Sequence, residues 1–330
     1  ELKEKLFMQR KNGYSRIDEA EEKAIFDFAE GYKKFLDTAK TEREAVCEAV
    51  KVLEENGFIE YKKDMKLSAG DKIYRNNRGK AIIAAVIGSA PIAEGVRLCA
   101  AHIDSPRLDL KQNPLYEDCE LALFKTHYYG GIKKYQWTTI PLSLHGVIIK
   151  ADGTTVTVNI GEDENDPVFC VTDLLPHLAT EQMTRTATKI IRGEDLNLLI
   201  GSIPFRDDEA SEAVKLNILN ILFEKYGITE ADFISSELEA VPAFKARDIG
   251  FDRSLIGGYG HDDRCCAYPA LRAAVECTAP VHTTVTILAD KEETGSDGNT
   301  GLCSSYLRYF IEDIAEALGA KGRDVLTASE

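Results

Sequence analysis

A buried strand is written into GVRLCAAHI (residues 95–103), and its sequel lies far downstream. After residue 260 the matching texture returns. HDDRCCAYPALRAAVECT (261–278) has helical character, HTTVTILAD (282–290) reads as a second buried strand, and CSSYLRYFIEDIAEAL (303–318) reads as a further helix. Strand, helix, strand, helix at this spacing calls for parallel strands with helices packed on the faces of the sheet. The expected class is α/β, a mixed, largely parallel sheet flanked by helices.

Upstream, RIDEAEEKAIFDFAEGYKKFLDTA (16–39) and TEREAVCEAVKVLEENGF (41–58) carry apolar residues at helical spacing. The second opens on a capping box from Thr41 to Glu44 and closes at Gly57. KIYRNNRGKAIIAAVIG (72–88) reads as a hairpin turning at Asn76–Gly79. Between about Gln112 and Ala240 the texture changes to short alternating stretches, LSLHGVIIK and TTVTVNIG, with turn signals such as ADGT and one helix expected around DLLPHLATEQMTRTA (173–187). This β-rich insertion divides the chain into a discontinuous α/β unit over 1–111 and 241–330 and a second unit over 112–240.

Composition excludes several roles. A net charge of −15 does not suit a surface for phosphate backbones, so no nucleic-acid partner is expected. No apolar run is long enough to cross a bilayer and the first residues carry no signal pattern, so no membrane is expected either and the location reads as cytoplasmic. The eight cysteines lack C-x-x-C spacing, which points to reduced thiols.

Three short stretches fall where strands end or helices begin: AHIDSP (101–106), GHDDR (260–264) and DKEETGS (290–296). Each has a structural reading of its own: a hydrogen-bonded histidine, acids capping a helix, solvated carboxylates in a polar turn. Together they hold what a metal-assisted hydrolase needs, namely imidazole and carboxylate ligands, an acid to orient the imidazole, and a free carboxylate as base. Two positions from His102, Asp104 can accept a hydrogen bond from the ring nitrogen that faces away from a metal. Consecutive acids point in different directions, so Glu293 can bind metal while Glu292 takes a proton. Asp262 can bridge two ions.

In this order and at these separations the three stretches, with YYGGIKKYQWTTIPLSLHG (128–146) and LLPHLA (174–179), resemble the cocatalytic zinc aminopeptidases of the aspartyl aminopeptidase and aminopeptidase I type. The resemblance covers nearly the whole chain. It implies a zinc-peptidase-like α/β domain interrupted by a β-rich dimerisation domain, a homodimer built into a larger homo-oligomer, and peptide substrates that lose their amino-terminal residue. Two zinc ions per subunit of the complete protein are implied, with His102 on one, Glu293 on the other and Asp262 bridging both. Asp104 would orient His102, Glu292 would be the general base, and His177 would reach the substrate site of a neighbouring subunit. The family pattern continues to a further aspartate ligand and a late histidine that have no match here, so the resemblance implies ligands beyond Glu330. The pattern does not use His261, and His127, His145 and His282 read as structural. A related dinuclear metallopeptidase or deacylase shares the H-x-D and E-E elements. A non-catalytic oligomeric scaffold is the alternative from another class.

Overall fold

Helix α1 (Leu2–Leu6) precedes α2 (Glu19–Thr38), whose first turn is capped by the Asp18 side chain, and α3 (Glu42–Glu55), where the expected Thr41–Glu44 capping box forms. The structure, a computed structural model, describes residues 2–206 and 211–328. Strands β1 (Ile59–Glu60), β2 (Lys72–Asn77), β3 (Ala81–Val86) and β4 (Arg97–His102) follow. Next come β5 (Arg107–Asp118), β6 (Leu121–Tyr129), β7 (Leu142–Ile149), β8 (Thr155–Ile160), β9 (Cys170–Val171), β10 (Leu198–Gly201), helix α4 (Ala213–Tyr226) and β11 (Ser236–Pro242). A short ribbon of β12 (Arg247–Ile249) and β13 (Leu255–Gly257) leads into α5 (His261–Glu276), β14 (Thr284–Ala289), α6 (Tyr306–Ala317) and α7 (Gly322–Ala328).

The first sheet has the order β1-β2-β3-β14-β4. It is mixed, as expected: β14 runs parallel to β4 and β1 to β2, whereas β3 is antiparallel to both β2 and β14. The two-residue side-chain period sorts its residues onto two faces. Tyr74, Ile82, Ala84, Val86 and Leu288 pack on α3 and α5, while Ile73, Ile83, Ala85, Val285 and Ile287 pack on Phe310, Ile311 and Ile314 of α6. Each fully buried isoleucine or leucine contributes about 1.5–3 kcal/mol. Strand β4 departs from expectation. It lies at the edge of the sheet, so Arg97–Ala100 are exposed and only Ala101 and His102 are buried.

The second sheet, β8-β7-β11-β5-β6-β10-β9, is antiparallel throughout and draws its strands from residues 107–242. Leu108, Phe124, Leu144, Ile148 and Leu238 form its core, with Ile218 and Leu222 of α4 packed against it. No sequence signal marked α4, because its apolar residues are spread around the helix. Its amino terminus is capped at long range by Glu117 on β5, whose Oε2 accepts the Val214 and Lys215 N–H groups at 3.0 and 2.9 Å. The helix expected over 173–187 does not form. That stretch contains turns and one 3-10 turn at Gln182–Thr184, and within Asp173–Ala187 only Ala179 is buried. Leu174, Leu175 and Leu178 meet no neighbouring element of the described chain, so helix nucleation is not offset by packing.

Charged groups at the start of α3 join the two sheets. Lys40 Nζ reaches Glu162 and the carbonyls of Pro242 and Phe244, and Glu44 accepts from His145 on β7. His145 is thus structural, as read. All eight cysteines are unpaired, and among the described residues no helix is long and apolar enough to cross a membrane.

Candidate metal centre

Strands β4 and β14 run parallel with Ala289 opposite His102, so the loops that follow them emerge at the same end of the sheet. The first loop carries Asp104 and Ser105, the second Glu292 and Glu293, and the first turn of α5 supplies Asp262. The turn after β14 is tight. Lys291 adopts φ +69° and the 3-10 turn Glu292–Thr294 closes at Gly295 with φ +96°. A left-handed non-glycine residue costs about 1–3 kcal/mol. Buried Asp290 holds the turn, accepting the Lys291 N–H at 2.8 Å and the Thr300 hydroxyl at 2.7 Å.

Both nitrogens of buried His102 are engaged. Nδ1 faces the Asp104 carbonyl at 3.0 Å and its Oδ1 at 3.2 Å, while Nε2 faces Asp262 Oδ1 at 3.1 Å and Glu292 Oε2 at 3.6 Å. With Nδ1 donating to Asp104, Nε2–H donates to Asp262 Oδ1, and loss of that proton would free the Nε2 lone pair for a metal at the same place. Burial alone disfavours the charged ring, but the hydrogen bond and charge of Asp104 outweigh it and raise the pKa to about 9. A cation at Nε2 would replace that proton.

Asp104 is fully buried and saturated with donors. Oδ1 also accepts the Glu292 N–H at 3.2 Å, and Oδ2 accepts the Tyr129 hydroxyl at 2.6 Å and the Glu293 N–H at 3.2 Å. Burial would raise its carboxyl, yet His102 and Tyr129 hold it below the usual range. Asp262 departs from helical geometry, with φ −88° and ψ 105°, and its side chain is 84% exposed. The Ser105 hydroxyl donates to its carbonyl at 2.8 Å, and fully buried Arg264 donates to Ser105 Oγ at 2.9 Å. Two residues before Asp262 the chain requires glycine: Gly260 has φ +82°, and a Cβ there would lie 1.7 Å from Arg264 Nη1.

Glu293 is half-buried. Its carboxyl is pushed up by burial, then by the charges of Asp262 and Asp104. Among the described residues no lysine or arginine forms an ion pair with Asp262, Glu292 or Glu293. One imidazole amid several carboxylates is a nitrogen and oxygen donor set suited to zinc, and a divalent cation would relieve the accumulated negative charge. The residue set fits the metal.

His102, Asp104, Asp262, Glu292 and Glu293 therefore come together. His177 does not join them: it sits in an exposed turn, and among the described residues it makes no hydrogen bond or ion pair to the cluster. His261 pairs through Nδ1 with the Tyr32 hydroxyl at 2.8 Å. On the same turn of α5, ligand atoms of Asp263, Cys265 and Cys266 lie within 4.8 Å of one another, and Asp263 also accepts the His102 N–H. Sequence reasoning missed Tyr129, Ser105 and Arg264. Ser105 lies inside AHIDSP and was within reach, but the contacts of Tyr129 and Arg264 depend on chain segments that meet only in the fold.

A family model described as aminopeptidase I zinc metalloprotease (M18) matches residues 35–329. The probable M18 family aminopeptidase 1 of Clostridium acetobutylicum is 53% identical over 318 residues, which cover 95% of this chain and 68% of that protein. The crystal structure of an M18 family aminopeptidase from Thermotoga maritima matches with a TM-score of 0.92 and 48% identity, over 98% of this chain and 70% of that one. At the level of fold alone, the S. cerevisiae mApe1 dodecamer structure matches with a TM-score of 0.67 and 19% identity, over 88% of this chain and 66% of that one. The chain belongs to the M18 family of zinc aminopeptidases, and its class of chemistry is that of a metalloaminopeptidase, a hydrolase of peptide bonds.

Proposed function

We propose that this site removes single residues from the amino termini of peptides with two zinc ions per subunit. The observation that supports it is the convergence of His102 Nε2 on Asp262 Oδ1 at 3.1 Å and Glu292 Oε2 at 3.6 Å, with Nδ1 held by Asp104. In this reading His102 would hold one ion and Glu293 the other, with Asp262 available to both. Zinc, when bound, supplies Lewis acidity toward the scissile carbonyl. Glu292, whose side chain is 54% exposed, takes a proton from the attacking water and returns it to the leaving amine. Asp104 fixes the tautomer of His102 throughout. The acidic rim favours the protonated amino terminus of a peptide over an internal bond.

The insertion at 112–240 is the dimerisation domain in the same reading. Around His177, Leu174, Leu175 and Leu178 are 54, 65 and 71% exposed, an apolar face that a second copy would cover. Each His177 would then serve the partner's site within a homodimer, itself part of a larger cytoplasmic homo-oligomer, and the shared fold of the dodecameric yeast protein supports an assembly of this kind. Replacement of Glu292 by glutamine in the complete protein tests the core of the proposal. We expect kcat to fall by on the order of a hundredfold or more with zinc content unchanged. Loss of zinc together with activity would make Glu292 a ligand and overturn the assignment.

A further inference from the structure

Tyr129 is the last residue of β6, in the inserted sheet, yet its phenol lies against the metal-site loops. The hydroxyl donates to Asp104 Oδ2 at 2.6 Å. The same carboxylate collects His102 Nδ1 and the N–H groups of both Glu292 and Glu293. Asp104 is thus the junction that fixes three of the proposed site residues, and among the described residues Tyr129 is its one side-chain donor that is not itself a proposed site residue. The next residue continues the contact: a Cβ on Gly130 would lie 2.9 Å from Glu293 Oε2, so the end of β6 abuts that carboxylate as well.

The tyrosine ring is itself clamped. The Arg107 guanidinium lies 3.9 Å from the ring centroid, and Lys291 Nζ, from the Glu292–Glu293 turn, lies 5.4 Å from it. Arg107 is buried, donates from Nε to Asp109 Oδ1 at 2.8 Å, and is ion-paired with Glu42 and Glu239, each at 3.2 Å, so charges on α3, β5 and β11 hold it beside the ring. A cation over the ring draws electron density from the phenol and strengthens its O–H as a donor. A merely space-filling ring would need neither the hydroxyl contact nor the guanidinium.

We propose that Tyr129 is a positioning residue of the metal centre, through which the inserted sheet sets the geometry of the zinc-binding residues of its own chain. This rests on the reading of His102 as a zinc ligand. The test uses the zinc-loaded enzyme and Tyr129→Phe, which removes one oxygen and keeps the ring under Arg107. Zinc affinity by chelator competition should weaken by about tenfold or more, the range typical for partners that orient a ligand. kcat should fall by a similar factor while KM moves less than about threefold. The absorption spectrum of the cobalt-substituted enzyme should shift. If Tyr129 acts through Asp104, the loss on zinc affinity should largely vanish when Tyr129→Phe is made in an Asp104→Asn background. Additive losses, or a Tyr129→Phe enzyme with wild-type zinc affinity, kcat and cobalt spectrum, would overturn the proposal. His102→Ala separates the two levels: if it keeps full zinc affinity the reading of the site fails, and if it loses zinc while Tyr129→Phe changes nothing, only the positioning role fails. Should Tyr129→Phe not fold, Arg107→Lys, which keeps the charge but loses the flat stacked group, takes its place with the same expected direction, and unchanged zinc affinity counts against the proposal.

Discussion

Replacing Lys40 by methionine should destabilise the protein by about 3–5 kcal/mol, the range for removing one partner of a buried charge pair. The Lys40 side chain is 1% exposed, and its three N–H donors have three acceptors, Glu162 Oε1 at 2.7 Å, the Pro242 carbonyl at 2.8 Å and the Phe244 carbonyl at 3.1 Å. Methionine fills nearly the same volume and provides none of them. Hydrogen bonds from a charged donor contribute about 1.5–3 kcal/mol each, so the gross loss is roughly 5–9 kcal/mol. The desolvation cost of the buried ammonium is already inside those per-bond figures, but three bonds to one donor in a shared network are not additive, which brings the net into the stated range. That cost is visible in the direction of the Lys40 pKa, which burial pushes down against the opposing bond to Glu162. Glu162 is not left alone, since Lys245 donates to its other oxygen at 2.8 Å and Ser143 and His145 also reach it. Denaturant unfolding followed by fluorescence of Trp137, the single tryptophan, measures the change as a lower midpoint with an unaltered slope. A loss below about 1 kcal/mol would refute the reasoning, because the three bonds would then only balance the burial of the charge.

Two further outcomes follow from the same features. Burial alone would raise the Glu162 carboxyl, but His145, Lys245 and Lys40 hold it well below the ordinary value of 4.5, so its contribution to stability is complete above about pH 4.5 and is lost as the pH falls below that. Glu162→Gln should therefore flatten the acid limb of a stability profile measured by unfolding between neutral and acid pH, and an unchanged limb would count against the assignment. His177→Ala and Glu292→Gln should each be nearly inactive as homo-oligomers, whereas purified heterodimers of the two, which contain one site free of both changes, should recover up to about half of wild-type activity. Heterodimers as inactive as their parents would place His177 outside the partner's site.

The residues of the proposed site stand out in the sequence because their chemistry is local: a histidine and an aspartate at a strand end, consecutive acids in a turn, an aspartate at a helix start. The strand and helix pattern around them was legible for the same reason, since β14, α5 and α6 each carry a clear period within a single stretch. What escaped depends on distant partners. Helix α4 has no distinct apolar face and takes its cap from Glu117 on β5. The segment 173–187 has helix-forming composition but no surface to pack against. Strand β4 looked buried because Leu98, Cys99 and Ala100 are apolar or small, and only the sheet order reveals that it has a neighbour on one side alone. Tyr129 and Arg264 belong to the same class, since their partners lie on separate segments.

The pairing of β4 with β14 also bears on the order in which the chain assembles. These neighbours are separated by roughly 190 residues, and closing an unstructured loop of that length costs about 4–5 kcal/mol of chain entropy before any contact is gained. The second sheet, over residues 107–242, shortens the path. Its first and last strands lie side by side, with Leu108 opposite Ala240 and Asp109 opposite Glu239, so once it has folded its two ends leave from neighbouring points. The lower-barrier route therefore completes the inserted sheet first and draws β14 onto β4 afterward. On that route the last loop closure brings Glu292 and Glu293 to His102, and the proposed metal centre is assembled at the end of folding, when the rest of the scaffold is already in place.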